Sequence, residues 1–308
     1  MGIEWVPLGR ASAARLKRGQ ATAVSVHYTH PHRKGQSLEL AVYSSARYTH
    51  IVARIIAVCN QKGGVGKTTT VFNLGSVLAA RGVRTLLVDL DPQAALTAWA
   101  GFDTSRLKQT MYTALMDGAD TLAPIVLRAA ENLTLAPSSL DLASAEVALS
   151  TAPDRAQRLQ RALQGTDSAQ YDIVLIDTPA TLGVLTVNGL VAAHKLLIPV
   201  QCEALSMRGV RAVLEAVWLV RGRLNHALEL LGILPTIFRA EVPGAQDALA
   251  EMQAVFRSWV LAPIPADDVA ITGASASTAP LLRYAPSSAA AQAYLRLAEF
   301  VTNDTRVP

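Results

Sequence analysis

From residue 54 onward, apolar positions alternate between two spacings. Ile55-Ile56-Ala57-Val58 is a continuous β-branched run that stops at Asn60-Gln61, and it predicts a buried strand. Residues 68–80 place Val71, Leu74, Val77 and Leu78 at helical spacing, and Arg81-Gly82 is a fitting stop. Arg84 to Asp91 predicts a second strand, which ends in two carboxylates before Pro92. Residues 93–165 read as mostly helical and alanine-rich, with a short strand at Leu133-Thr134-Leu135-Ala136. Asp154 is expected to cap a helix that carries Arg155, Arg158 and Arg161 and closes at Gly165. Further strands are predicted at Tyr171–Asp177, Lys195–Val200, Leu228–Phe238 and Val260–Ile264. Helices are predicted at about 206–223 and over 287–302, where Tyr294, Leu295, Leu297 and Phe300 repeat at helical spacing. Strands alternating with helices predict an α/β fold: a mostly parallel, twisted sheet with helices on both faces.

Residues 1–52 break this regularity. They hold four of the six histidines and seven basic residues (Arg10, Arg15, Lys17, Arg18, Arg33, Lys34, Arg47) against Glu4 and Glu39. Three readings compete for this leader: a disordered tail, a basic arm for DNA or anionic lipid, or sequence upstream of the true start. It lacks the apolar core of a signal peptide and is too irregular for a helix-turn-helix unit. The expected division is therefore a basic, disordered leader at 1–52 and one globular domain at 53–308.

Charge changes the picture because it is unevenly placed. The whole chain is +4 at pH 7, yet the leader alone is +5, which leaves 21 basic and 22 acidic residues in the body. The basic balance thus gives no argument that the globular part binds nucleic acid. A 51% hydrophobic composition supports a sizeable core, and no apolar run reaches the length of a membrane span. Cys59 and Cys202 lie on or beside apolar runs, as reduced cytoplasmic thiols do, and no Cys/His cluster has metal-ligand spacing.

The chemistry concentrates between the first strand and its helix. Gly63-Gly64-Val65-Gly66 is followed by Lys67 and the hydroxyl run Thr68-Thr69-Thr70. Such glycines let backbone N–H groups curl around phosphate oxygens, and the helix start adds free N–H groups and a positive dipole end. Lys67 neutralises the outer phosphates and Thr68 ligates Mg2+ in this scheme. The usual spacing asks for glycine at position 61. The chain has Gln61 there, with a second lysine, Lys62, beside it.

This KGGVGKT loop resembles the deviant Walker A motif of the ParA/MinD superfamily of P-loop ATPases. The resemblance continues in LLVDLDPQ at 86–93, YDIVLIDTPATLGVLTVNGL at 171–190, IPVQCEALSMRGV at 198–210 and the tail at 281–300. It covers about residues 54–302 and leans toward ParA-type DNA-segregation ATPases. It implies that Lys67 contacts the β and γ phosphates and that Thr68 binds Mg2+, with Gly63, Gly64, Val65, Gly66 and Thr69 completing the cradle. Lys62 is then the signature lysine that reaches across a nucleotide-sandwich dimer. Asp91 positions the attacking water, Asp89 and Asp177 orient the water shell of the magnesium, and Gly63 sits where the two loops approach. Strand alternation also favours Asp91 over Asp89 for the water, because Asp89 still lies inside its strand.

Two departures stand out. A double proline is common after the strand-ending aspartate, and here the sequence is Asp177-Thr178-Pro179-Ala180. After Ile264-Pro265 the chain reads Ala266-Asp267-Asp268, where relatives more often carry a basic residue and Asn near the adenine.

The family implies ATP and Mg2+ as cofactors and a homodimer formed on ATP binding. It further implies non-specific binding of double-stranded DNA, a ParB-like centromere-binding partner, weak intrinsic hydrolysis, and a cytoplasmic, nucleoid-associated location. Family position makes Arg221, Arg223 and Arg239 the DNA-contacting candidates. Arg208, Arg211 and Glu215 on the same predicted helix argue for ordinary surface pairing there. The alternatives are a MinD-like membrane switch, for which residues 300–308 lack a basic amphipathic face, and ParA-like positioning of a protein cargo. An iron–sulfur relative would need paired loop cysteines, and a small-molecule ligase or kinase gives LVDLDPQ no pocket role.

Overall fold

The structure, a computed structural model, describes residues 53–118, 120–166, 170–203 and 206–304, together with the backbone of two short strands near the start. The chain divides into two compact units, residues 1–49 with 303–308 and residues 50–302. In the first, β1 (His27–Thr29) pairs antiparallel with β2 (Ser37–Glu39). The expectation of a disordered leader falls otherwise on residues outside those described.

The second unit is built on a seven-stranded sheet. Six strands are parallel: β3 (Arg54–Val58), β4 (Thr85–Asp89), β6 (Leu133–Ala136), β7 (Ile173–Asp177), β8 (Lys195–Gln201) and β9 (Glu229–Thr236). β5 (Leu127–Ala130) adds an antiparallel edge, giving the order β5-β6-β4-β7-β3-β8-β9. The central strands are apolar apart from their end residues because both of their faces are covered. On one face Ile56, Val58, Leu87, Leu175 and Leu197 pack against Leu74 and Leu78 of α1 (Lys67–Ala80) and Tyr294 and Leu297 of the helix Ala289–Asn303. On the other, Leu86, Val88, Val174 and Ile176 meet Leu159 of α5 (Arg158–Gly165) and Leu185 of α6 (Val184–Ala192). Further along that face, Leu196 and Ile198 meet Val210, Val213 and Val217 of α7 (Ser206–Arg223) and Met252 of α8 (Pro243–Phe256).

α1 lies close to the sheet because of one residue. A Cβ on Gly75 would sit 2.5 Å from Leu87 Cδ2, so only glycine admits this approach of helix to strand. At the opposite end of the sheet, the Ile55 N–H donates to His194 Nδ1 at 3.1 Å, and the His194 N–H donates back to the Ile55 carbonyl.

Three expectations are corrected. Val260–Ile264 forms no strand; it touches the sheet edge through the isolated bridges Ile233–Val260 and Phe238–Pro265. Asp154 caps no helix, because α5 begins at Arg158 and the Asp154 carboxylate instead pairs with Arg158 and Arg161. The 93–165 stretch also holds β5, which the apolar pattern does not mark, beside α2 (Ala95–Trp99), α3 (Met111–Met116) and α4 (Leu142–Leu149).

Candidate functional site

The site forms where β3, β4 and β7 end and α1 begins, at the carboxyl edge of a parallel sheet. Beyond β3, Asn60 is buried and holds the loop at both ends: its Nδ2 donates to the Pro199 carbonyl at 2.7 Å and its Oδ1 accepts from the Lys62 N–H at 3.0 Å. Gly64 and Gly66 have φ of 73° and 81°, a left-handed backbone that turns the chain back into α1. The Thr236 hydroxyl, at the end of β9, donates to the Val65 carbonyl at 2.7 Å and fixes the loop from the far side.

Lys67 opens α1 and is only 7% exposed. Burial lowers its pKa, and the neighbouring Asp177, Cys59 and Asp91 act against that shift. Its Nζ donates to the Lys62 carbonyl at 3.3 Å. The Thr68 hydroxyl donates to Asp177 Oδ2 at 2.6 Å, while Asp177 Oδ1 is buried without a hydrogen-bond partner among the described residues. Asp89 and Asp177 are register partners on adjacent strands. Burial raises the pKa of both carboxyls above the usual carboxylate range, and the charge of Asp89 adds to the rise at Asp177.

These observations fit a divalent cation beside Thr68. The orphaned Oδ1 and the raised carboxyl pKa values mark a place where negative charge lacks compensation. Asp89 stands behind this point rather than in the cleft: its Oδ2 accepts from the Thr97 N–H and hydroxyl, and its Oδ1 from the Asp91 N–H. It therefore holds Asp91 and α2 in place. Asp91 is half-buried, lines the cleft, and accepts from the Gln93 N–H at 2.9 Å.

The cleft has a volume of about 580 Å³ and is floored by Gly63, Gly64, Gly66, Lys67, Thr68 and Thr69. Its opposite wall is Thr236, Ile237, Ile264, Pro265 and Ile271, with Asp268 at the rim. Such an apolar wall facing a polyphosphate cradle suits a flat purine. Thr236, Ile237 and Ile271 are absent from the sequence-based candidates. The wall acts through apolar side chains and one hydroxyl, which carry no motif. Ile237 has φ 50°, an unusual conformation for a β-branched residue, and it sits on the cleft.

Lys62 does not line the cleft of its own chain. Its side chain is 52% exposed, and its Nζ pairs with Glu203 Oε2 at 2.5 Å. Cys59 and Cys202 are buried, burial pushes both thiols up to about 11, and no metal-binding group of three or more His, Cys, Asp or Glu exists among the described residues.

The three candidate DNA arginines do not form one patch. Arg221 and Arg223 end α7, next to Asn225, whose amide donates to the Leu190, Val191 and Ala193 carbonyls before β8. Arg239 follows the far end of β9, at the cleft edge of the sheet, where it pairs with Asp268 at 2.6 Å. No helix among the described residues is long and apolar enough to cross a membrane. Of the C-terminal stretch weighed as a membrane anchor, residues 305–308 lie outside those described.

Fold and site define a P-loop nucleotide hydrolase. The profile of the AAA domain family AAA_31 matches residues 53–230. Over 250 residues the chain is 39% identical to the sporulation initiation inhibitor protein Soj of Bacillus subtilis, covering 81% of this chain and 98% of Soj. It is 35% identical over 254 residues to the chromosome partitioning protein ParA of Caulobacter vibrioides, covering 82% and 95%. A crystal structure of cobyrinic acid a,c-diamide synthase from Mycobacterium smegmatis, with bound ATP analog and magnesium, superposes with TM-score 0.72 at 37% identity, over 83% of this chain and 99% of that one. The septum site-determining protein MinD of Pyrococcus horikoshii, complexed with Mg-ADP, superposes with TM-score 0.65 at 26% identity, over 82% and 96%. The chain belongs to the ParA-type P-loop ATPases, which use ATP with Mg2+.

Proposed function

We propose that this protein is an ATP-gated positioning ATPase. Two copies close over two ATP molecules, the dimer binds double-stranded DNA without sequence preference, and a ParB-like partner stimulates slow hydrolysis to segregate a plasmid or chromosome. The observation that carries this reading is the pair of lysines on one loop. Lys67 is buried at its own cleft, whereas Lys62 is exposed at the loop entrance, pairs with Glu203 and does not line that cleft. A lysine so placed adds positive charge to phosphates only when a second subunit faces it.

In this scheme the loop N–H groups and the start of α1 hold the phosphates, and Lys67 neutralises the outer pair. Thr68 and Asp177 would hold Mg2+, which supplies charge neutralisation for phosphoryl transfer. Asp91 aligns the attacking water from a strand end that Asp89 keeps rigid. Similarity to the chromosome partitioning protein ParA of Caulobacter vibrioides supports chromosome partitioning as the task. A cytoplasmic, nucleoid-associated location goes with it.

Gel retention of DNA tests the reading. The protein is expected to retain DNA with ATP and Mg2+, and to lose it with ADP and as salt rises. Pelleting with anionic liposomes but not with DNA would favour MinD-like membrane positioning. Retention of neither would favour a protein cargo.

A further inference from the structure

Parallel strands bring their amino ends to one edge of the sheet, and a second cavity of about 490 Å³ lies at that edge. It shares no lining residue with the ATP cleft. Its apolar floor is Ile55, Leu86 and Val174, near the starts of β3, β4 and β7, and Leu163 of α5 closes over them. The volume is that of a small-molecule site. No Asp, Glu, Lys or Arg lines it, so the cavity offers nothing to compensate a charged guest.

Three polar side chains on this cavity keep hydrogen-bonding capacity in hand. Tyr171 is only 8% exposed, yet its hydroxyl has no hydrogen-bond partner among the described residues. A tyrosine buried to this degree ordinarily finds a partner for its hydroxyl. His194 accepts from the Ile55 N–H through Nδ1, which places its proton on Nε2 and makes that atom a donor. Burial lowers the His194 pKa, so the ring is neutral at pH 7. The Gln160 amide nitrogen donates to the Val191 carbonyl at 3.2 Å, and this fixes its Oε1 as an acceptor. Two donors and one acceptor therefore stand around an apolar, uncharged floor.

We propose that this cavity binds a small, uncharged aromatic molecule with an amide-type edge. Its ring lies on the Ile55, Leu86 and Val174 floor, its oxygen accepts from Tyr171 and His194, and its N–H donates to Gln160. The site stands apart from the nucleotide chemistry and does not depend on the roles given to Lys62 and Lys67.

Benzamide is the simplest probe of this class, and benzoate is its charged counterpart. Saturation-transfer NMR on the full chain, with saturating Mg-ADP to occupy the ATP cleft, is expected to show saturable binding of benzamide and weaker binding of benzoate. Tyr171→Phe removes one hydroxyl and keeps the ring, so it is expected to weaken benzamide by roughly two- to tenfold, the worth of one hydrogen bond. Ala227 is exposed and lines the cavity, so Ala227→Phe is expected to block it and abolish the signal. Both variants are expected to keep the parental ADP affinity, which reports an intact fold. No saturable benzamide signal, or a signal unchanged by both substitutions, would overturn the site. Benzoate binding at least as tightly as benzamide would overturn the uncharged class of ligand.

Discussion

Asp177 concentrates the chemistry at the residue scale. One of its oxygens accepts from Thr68, the other has no partner among the described residues, and burial beside Asp89 raises its pKa. A carboxylate so placed is an unfavourable arrangement for folding and a suitable one for holding the magnesium shell. Asp177→Asn keeps the volume and removes the charge. Outer-shell partners of a metal contribute roughly ten- to a hundredfold, so hydrolysis is expected to fall by that factor with a raised Mg2+ requirement in a metal titration. Unchanged magnesium dependence would remove Asp177 from the site. Lys67→Ala is expected to abolish measurable ATP hydrolysis in a phosphate-release assay, because no other side chain on the cleft floor is cationic.

Helix α1 and strand β4 meet through Gly75 at the element scale. Gly75→Val would drive a side chain into Leu87, and overpacking of this kind costs about 1–3 kcal/mol. Chemical denaturation should report a lower midpoint. Strands β3 and β8 meet at His194, whose Nδ1 accepts from the Ile55 N–H and must be unprotonated to do so. Burial lowers the His194 pKa, and the charges of Lys195 and Arg54 lower it further. The folded state therefore favours neutral imidazole. This stability is fully present above the ordinary histidine pKa and is lost as pH falls below it toward the folded value. Thermal midpoints measured from pH 7.5 to 5.5 should decline, and His194→Asn should flatten that decline.

Elements also explain what the sequence reveals. β3, β4, β6, β7, β8 and β9 are legible because strands covered on both faces read as continuous apolar runs. β5 is not, because Leu127-Arg128-Ala129-Ala130 is an edge strand with alternate residues exposed. Val260–Ile264 has a strand's composition but meets the sheet edge at single bridges only. The cradle from Gly63 to Thr69 is legible because phosphate binding restricts both spacing and residue type. The Thr236, Ile237 and Ile271 wall is hidden because apolar contact with a base restricts neither.

Two features lie at opposite ends of the sheet at the scale of the whole molecule. Arg239 is at the cleft edge, and Arg221 and Arg223 are at the other. A single DNA track along one monomer cannot use all three. Arg239→Glu and the double change Arg221→Glu with Arg223→Glu should therefore differ in a DNA-retention assay with ATP. One is expected to weaken binding at least about tenfold, as loss and reversal of phosphate contacts does, while the other stays near the parental value. Equal losses from both would mean that DNA spans the two ends of the sheet.

The central claim is that Lys62 and Lys67 belong to one active site shared by two chains. Asp91→Ala removes the water-aligning carboxylate and should leave both lysines free to hold ATP. Light scattering of this variant with saturating ATP and Mg2+ is expected to give twice the 32.7 kDa chain mass, and Lys62→Ala added to it should return the single-chain value. A single-chain mass for Asp91→Ala under saturating ATP would contradict the account.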